Sequence, residues 1–207
     1  MFIESLFAGK PQPFGPRKSP SSIIKSPHSM LTIVEDGAIE DEQGNKKLHG
    51  GPEMALHQYS QQDYLALQHA FPEIREQLVP GSIGENISAP EMNNDNVFIG
   101  DTYEIGDVVL QVNSPRSPCV KINQRFGVKN IDTYIGKHGL TGWYFRVIES
   151  GTIKVNDPIK LVHRLKSSKS VKEIVRLVRD KDACPTERLI ASNIPALADE
   201  WVRKLRK

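Results

Sequence analysis

Cysteine is scarce in this chain: there are two in 207 residues, Cys119 and Cys184. Two thiols so far apart build no disulfide framework. They also exclude a four-cysteine iron–sulfur centre within the chain, so any redox work takes its electrons from another molecule. Long apolar runs are lacking as well, and none approaches a membrane span. The start, MFIESLFAGK, has no basic segment ahead of its apolar residues and no small-residue cleavage site, and does not read as a signal peptide. A reducing cytoplasm is the expected compartment, with no membrane partner. Aromatics make up only 7% and are not interleaved with the basic residues, which argues against nucleic acid. The phosphate-loop pattern ending in Gly-Lys-Ser or Gly-Lys-Thr is absent, and the histidines show no zinc-site spacing.

What is present is ordinary in bulk. Hydrophobic residues are 38% and charged residues 25%, with a net charge of +2. The charge is uneven: residues 164–207 hold 12 Lys/Arg against 6 Asp/Glu. Such a basic end reads as the solvated face of surface helices or as a partner surface.

Short β-like runs dominate the first three quarters of the chain. An N-terminal strand candidate is followed by the proline-rich KPQPFGPRKSPSS, read as a loop. SIIK, MLTIV, ALHQY, SIGENIS and NVFIG are strand candidates. DTYEIGDVVLQVNS has a hairpin pattern turning at Gly106-Asp107, and WYFRVIESGTIKVNDPIKLV repeats that grammar. One short helix is expected over QQDYLALQHAF, with Tyr64, Leu65, Gln68 and Phe71 along one side. From residue 170 the pattern turns helical. Ser170 and Glu173 form a capping box, Pro185 opens a second helix and Pro195 a third. The resulting expectation is a mainly β body, a small barrel or closed sheet over residues 1–165, with a three-helix appendage over 166–207.

Three stretches could carry chemistry. In NSPRSPCVKIN, Ser117 can cap a helix with Pro118 at its first position, which puts Cys119 in the first turn between Arg116 and Lys121. Amide N–H groups and cations there favour a thiolate, a nucleophile or soft-metal ligand. The alternative is a small buried hydrophobe. In KKLHGGP, Lys47, His49, Gly50 and Gly51 fit either a loop that approaches an anion closely or a bare turn. In GSIGENIS, Glu85 and Asn86 could present polar groups to a heterocycle or belong to a bulge.

In this order, the stretches EDEQGNKKLHGGPEMALHQY, GSIGENIS, GDTYEIGDVVLQVNSPRSPCVKIN and TGWYFRVIESGTIKVNDPIKLV resemble the MOSC family, named for the C-terminal domain of molybdenum cofactor sulfurase. The likeness covers roughly residues 20–162, and the helical end is similar to the three-helix domain of some bacterial members. One departure is Ile39-Glu40-Asp41, where relatives usually carry Gly before Asp. The resemblance implies a distorted closed β-barrel that binds the molybdenum cofactor, a pterin dithiolene bearing a phosphate. Cys119 would be the protein ligand to molybdenum and the catalytic residue. Lys47, His49, Gly50, Gly51, Glu85, Asn86, Arg116, Lys121 and Asn123 would surround the cofactor. Pyridoxal phosphate stands as the alternative cofactor. The implied activity is reduction of N-hydroxylated compounds such as 6-N-hydroxylaminopurine, hence resistance to that base analogue, with a separate reductase as electron donor. A carrier of cofactor or sulfur without turnover is the other reading. The C-terminal helices could cover the barrel, form a homodimer contact or meet the electron donor.

Overall fold

Of the two expected hairpins the first forms, Thr102–Ile105 against Val108–Pro115, while the second does not: Gly151–Lys154 turns away from Trp143–Glu149 to pair with Met30–Val34, and Ile159–His163 pairs with Thr102–Ile105. The computed structural model of the chain describes residues 1–45 and 50–207. Its strands are β1 (Ser5–Ala8), β2 (Gln12–Phe14), β3 (Ser19–Ser21), β4 (Ser26–His28), β5 (Met30–Val34), β6 (Gly37–Ala38), β7 (Leu56–Gln58), β8 (Ile87–Ser88), β9 (Thr102–Ile105), β10 (Val108–Pro115), β11 (Trp143–Glu149), β12 (Gly151–Lys154) and β13 (Ile159–His163). Its helices are α1 (Gln61–Ala70), α2 (Lys121–Phe126), α3 (Ile131–His138), α4 (Val171–Arg179), α5 (Pro185–Ser192) and α6 (Asp199–Leu205).

The main sheet has eight strands in the order β13-β9-β10-β11-β7-β8-β1-β4. It is mixed: β7 and β8 run parallel, pairing Gln58 with Ile87, while the other neighbours are antiparallel. The expected closed barrel is therefore corrected to a half-barrel. Among the described residues, the strand ladder stops at β13 and β4. Three backbone bonds tie the chain ahead of β1 to the β13 side. Ile3 N–H donates to the Asp157 carbonyl at 3.0 Å, Asn156 N–H to Ile3 at 2.8 Å and Ile159 N–H to Met1 at 2.8 Å. Pro158 sits in the middle of that seam with no N–H to donate, so a full ladder cannot form there.

Several local expectations also change. The proline-rich segment is a hairpin of β2 and β3, in which Pro13 lies opposite Pro20. That pairing asks neither residue for the N–H it lacks. SIIK is not a strand, because Ile23 turns into a side cluster and Lys25 into an ion pair. NVFIG contributes one isolated bridge, Phe98 to Ser170, and SIGENIS only β8. On α1 the buried side is Asp63, Tyr64 and Leu67, while Leu65 is 64% exposed. The capping box of Ser170 and Glu173 is present. The last helix starts at Asp199 rather than at Pro195, yet Leu197, Trp201 and Leu205 are buried as their spacing predicts.

Two apolar clusters result. One joins the sheet to the C-terminal helices, with Leu110, Val112, Trp143 and Phe145 packed in the same cluster as Ile174, Leu177, Trp201 and Leu205. The other unites Ile23, Tyr59, Tyr64, Leu67, Ile83, Ile122, Phe126 and Ile135. The chain passes from the first to the second through the segment after β10.

Burial also sets a titration. Asp63 is 5% exposed and accepts a bond from the Asn94 amide. Burial raises its carboxyl pKa to about 7, against the opposing Asn94 bond. A raised folded pKa gives stability that is present below the unfolded value and lost as pH rises toward 7. Between pH 5 and 7 the wild type should lose about 2 kcal/mol, roughly 4–8 °C in Tm, relative to Asp63→Asn. Thermal melts of both proteins across that range test this; parallel curves would refute it.

Candidate functional site

A bulge near the end of β10 builds the site. The register against β11 shifts between Val112 and Ser114, and such a shift bends a strand. The chain then leaves the sheet as Arg116-Ser117-Pro118-Cys119. Arg116 N–H donates to the Gly142 carbonyl at 3.1 Å. Gly142 has φ +63°, and a Cβ there would collide with the Gln58 carbonyl and crowd the His57 ring. Only glycine lets the segment lie this close to β7.

The expected Ser117 cap is not formed. Its hydroxyl is engaged by α6 instead: Lys204 Nζ donates to it at 2.8 Å, and it donates to Glu200 Oε1 at 3.2 Å. The helix begins two residues beyond Cys119, at Lys121. Cys119 is half-buried ahead of it. Its carbonyl accepts the Ile122 N–H at 3.0 Å, and its Sγ accepts the Lys121 N–H at 3.4 Å.

Cys119 opens onto a small cleft of about 100 Å³, whose wall includes Lys25, His57, Asn86, Arg116, Lys121 and Tyr144. Among the described residues, two groups there are buried without hydrogen-bond partners: Arg116 Nη1 and His57 Nε2. A buried donor left unpaired in a fold is costly, so such atoms point to something that binds them. His57 is 4% exposed, with its ring 5.4 Å from that of Tyr144. Burial above all, then Arg116 and Lys25, hold its pKa well below the usual value, so its imidazole is neutral at pH 7. Burial likewise raises the Tyr144 hydroxyl, against Arg116, and keeps it protonated.

Lys25 and Asp41 form an ion pair with side chains only 5% and 6% exposed. The Asp41 carboxylate also accepts from Gly9 N–H at 2.8 Å and from Asn86 Nδ2 at 3.0 Å. Asn86 is held further: its Oδ1 accepts the His57 N–H at 3.1 Å, and its own N–H donates to the His57 carbonyl at 2.7 Å. Burial lowers the Lys25 pKa, against the pull of Asp41.

The structure thus gathers Asn86, Arg116, Cys119 and Lys121 at one cleft. It places Glu85 and Asn123 elsewhere. Glu85 is fully buried behind the wall, where its Oε1 accepts Tyr64 O–H at 2.7 Å and Gly81 N–H at 2.6 Å, and burial raises its pKa. Asn123 joins α2 to α3, donating to Asp132 Oδ1 at 2.8 Å and accepting Asp132 N–H at 3.0 Å. Gly50 is half-buried; Gly51 has φ +90° and accepts the Met54 N–H at 2.9 Å, which sets Met54 in the cleft wall. Lys47 and His49 lie outside the described residues. Sequence reasoning missed Lys25, Asp41, His57 and Tyr144.

Among the described residues, no group of three or more His, Cys, Asp or Glu side chains is placed to hold a metal. Cys119 could offer one ligand, so a metal there must bring its other donors with it. No helix among these residues is long and apolar enough to cross a membrane.

Residues 45–160 match the family described as MOSC domain, and the chain belongs to that family. Protein YiiM of Escherichia coli (strain K12) is 34% identical over 205 residues, 98% of this chain and 90% of that protein. The crystal structure of YiiM from Escherichia coli superimposes with a TM-score of 0.82 at 26% identity, covering 100% of this chain and 91% of that one. A protein of Gibberella moniliformis (strain M3125 / FGSC 7600) named Reductase is 35% identical over 164 residues, 78% of this chain but 29% of its own length.

Proposed function

We propose that this protein is a molybdenum-cofactor-dependent oxidoreductase that reduces N-hydroxylated compounds, 6-N-hydroxylaminopurine among them, with electrons from a separate reductase. The carrying observation is a cleft in which Cys119 stands beside the unpartnered Arg116 Nη1 and His57 Nε2. The fungal relative named Reductase supports the oxidoreductase class. The residues fit the cofactor. A dithiolene-bound molybdenum brings sulfur donors of its own and is soft enough to take one more thiolate, which Cys119 supplies. The phosphate and pterin call for cations and N–H donors, which Arg116, Lys121 and Asn86 offer from the cleft wall. Lys47, His49, Gly50 and Gly51 are assigned to the same task.

When bound, the cofactor supplies oxygen-atom transfer coupled to two-electron redox change. The chain's own residues bind and orient. Neutral His57 offers an uncharged hydrogen-bonding edge beside the reacting group, and protonated Tyr144 a donor. The balance is R–NH–OH plus two electrons and two protons to R–NH2 and water, with protons drawn from solvent at the open mouth.

The test is to purify the protein from a host that makes the cofactor, measure molybdenum and pterin, and assay reduction of 6-N-hydroxylaminopurine with a chemical reductant. Stoichiometric molybdenum with turnover supports the proposal. Molybdenum without turnover on N-hydroxylated substrates would make the protein a cofactor or sulfur carrier, and no molybdenum would refute both. Arg116→Ala is expected to lower cofactor occupancy about tenfold when supply is limiting, since it removes a charge-assisted donor but no metal ligand. Pterin content measured against added cofactor reads this out.

A further inference from the structure

Of the twelve Lys and Arg of the basic C-terminal end, five are in ion pairs among the described residues, Arg164 with Asp101 being one. Lys172 meets Asp95 at 2.9 Å, Arg176 meets Glu187 at 3.3 Å, Lys169 meets Glu173 at 3.2 Å and Lys204 meets Glu200 at 2.5 Å. A second concentration of cations lies elsewhere. Residues 5–34 hold Lys10, Arg17, Lys18 and Lys25 with no Asp or Glu, and residues 108–131 hold Arg116, Lys121, Arg125 and Lys129 with none either. Far apart in the chain, these two acid-free stretches meet at the mouth of the cleft. Lys121 Nζ donates to the Pro20 carbonyl at 2.6 Å. A Cβ on Gly15 would fall onto the Gln124 side chain, so the tip of the β2–β3 hairpin rests on α2. Phe14 packs on the cluster that holds Ile122 and Phe126.

The tip carries Arg17 and Lys18, both exposed, and α2 sets Lys121, Gln124 and Arg125 on one side at spacings of three and four. Among the described residues, Arg17, Lys18, Lys121, Arg125 and Lys129 form no ion pair. Val120, directly after Cys119, is 57% exposed in their midst. This is a cationic collar with an apolar spot, one residue from the thiol.

We propose that the collar docks an acidic electron-carrier protein. The inference rests on the reductase reading, which requires two electrons per N–OH from outside the chain. A one-electron carrier must therefore dock twice per turnover, which suits a small, fast, charge-steered interface. The collar lies next to Cys119, where those electrons are needed, and its unopposed positive charge selects a negative partner.

The probes are a plant-type [2Fe–2S] ferredoxin and a flavodoxin, both acidic carriers. Their Kd for the holoprotein is measured by calorimetry at about 20 mM and about 300 mM salt, where screening differs widely. Their KM as reductants is compared with rates driven by dithionite. Arg17 and Lys18 lie outside the cleft wall, so R17E/K18E should raise carrier Kd and KM about tenfold or more, flatten their salt dependence and leave the dithionite rate unchanged. K129E should act in the same direction, about threefold. R179E, on an exposed unpaired arginine of the C-terminal helices, should change nothing. Unchanged Kd in R17E/K18E, an equal loss in R179E, or an equal fall of the dithionite rate would overturn the proposal. So would salt-sensitive binding of a single-stranded oligonucleotide at the collar with no binding of either carrier. Carrier binding lost in R17E/K18E, without turnover under any reductant, would support the docking surface while refuting the reductase reading. Turnover with dithionite but no carrier binding at low salt would do the reverse.

Discussion

Cys119→Ser is expected to fold normally, to carry only background molybdenum, and to reduce 6-N-hydroxylaminopurine more than about 100-fold more slowly than wild type. The fold should survive because the thiol holds almost none of its own surroundings. Its segment is fixed by Arg116 N–H on Gly142, by Ser117 on α6 and by the Cys119 carbonyl on Ile122. Among the described residues, the one bond to Sγ, from Lys121 N–H at 3.4 Å, can pass to a hydroxyl. A change in Tm of less than about 3 °C follows. The function should not survive, because a hydroxyl is a hard donor and a poor substitute for thiolate at a soft metal. Loss of an outer partner typically costs 10–100-fold in metal affinity or activity, and loss of the ligand itself should cost more. Metal analysis, pterin content and a thermal melt on one preparation suffice. Cys184→Ser, at the exposed start of α5, is the matched control and should behave as wild type. Stoichiometric molybdenum in Cys119→Ser would show that the ligand is elsewhere.

The residues that could be read from sequence are those whose neighbours in the chain are also their neighbours in space. Arg116, Cys119 and Lys121 belong to one segment, and the cleft receives all three. The hairpin of β9–β10 was legible for the same reason, as β-branched runs on either side of a turn, whereas β12 leaves β11 to pair with the distant β5. Local reading failed where adjacency in sequence is not adjacency on a surface. Asn123 follows Lys121 by two positions, and residues two apart on a helix do not share a face, so it meets Asp132 instead of the cleft. Glu85 and Asn86 are consecutive in the bend ahead of β8, where their side chains diverge, so one faces Tyr64 and the other the cleft. Lys25, Asp41, His57 and Tyr144 come from four separate segments, and nothing local marks any of them. Asp41 even lies in the stretch that departs from the family pattern.

Asp41→Ala should cost stability more than any single change in the cleft wall. It leaves the Lys25 ammonium without a counter-charge at 5% exposure, and removes the acceptor of Gly9 N–H and Asn86 Nδ2. Breaking one side of a buried pair costs about 3–5 kcal/mol. For a chain of this size that is roughly 6–20 °C in Tm. The damage should depend on pH in a defined direction. Burial already lowers the Lys25 pKa, and Asp41 is the largest influence raising it, so its loss lowers the value further. A lysine with a depressed folded pKa holds fewer protons folded than unfolded, so stability falls as pH drops through the folded value and recovers toward the unfolded one, about 10.4. The gap between Asp41→Ala and wild type should therefore narrow from pH 7 to about pH 9.5. Adding Lys25→Met should restore much of the loss at pH 7, because the uncompensated charge, rather than the missing attraction, carries most of the penalty. Urea melts of the two single variants and the double variant, at both pH values, close the cycle. A cost below about 1 kcal/mol at pH 7, with no recovery at the higher pH, would mean that water reaches Lys25 and that the pair does not hold Asn86 in place.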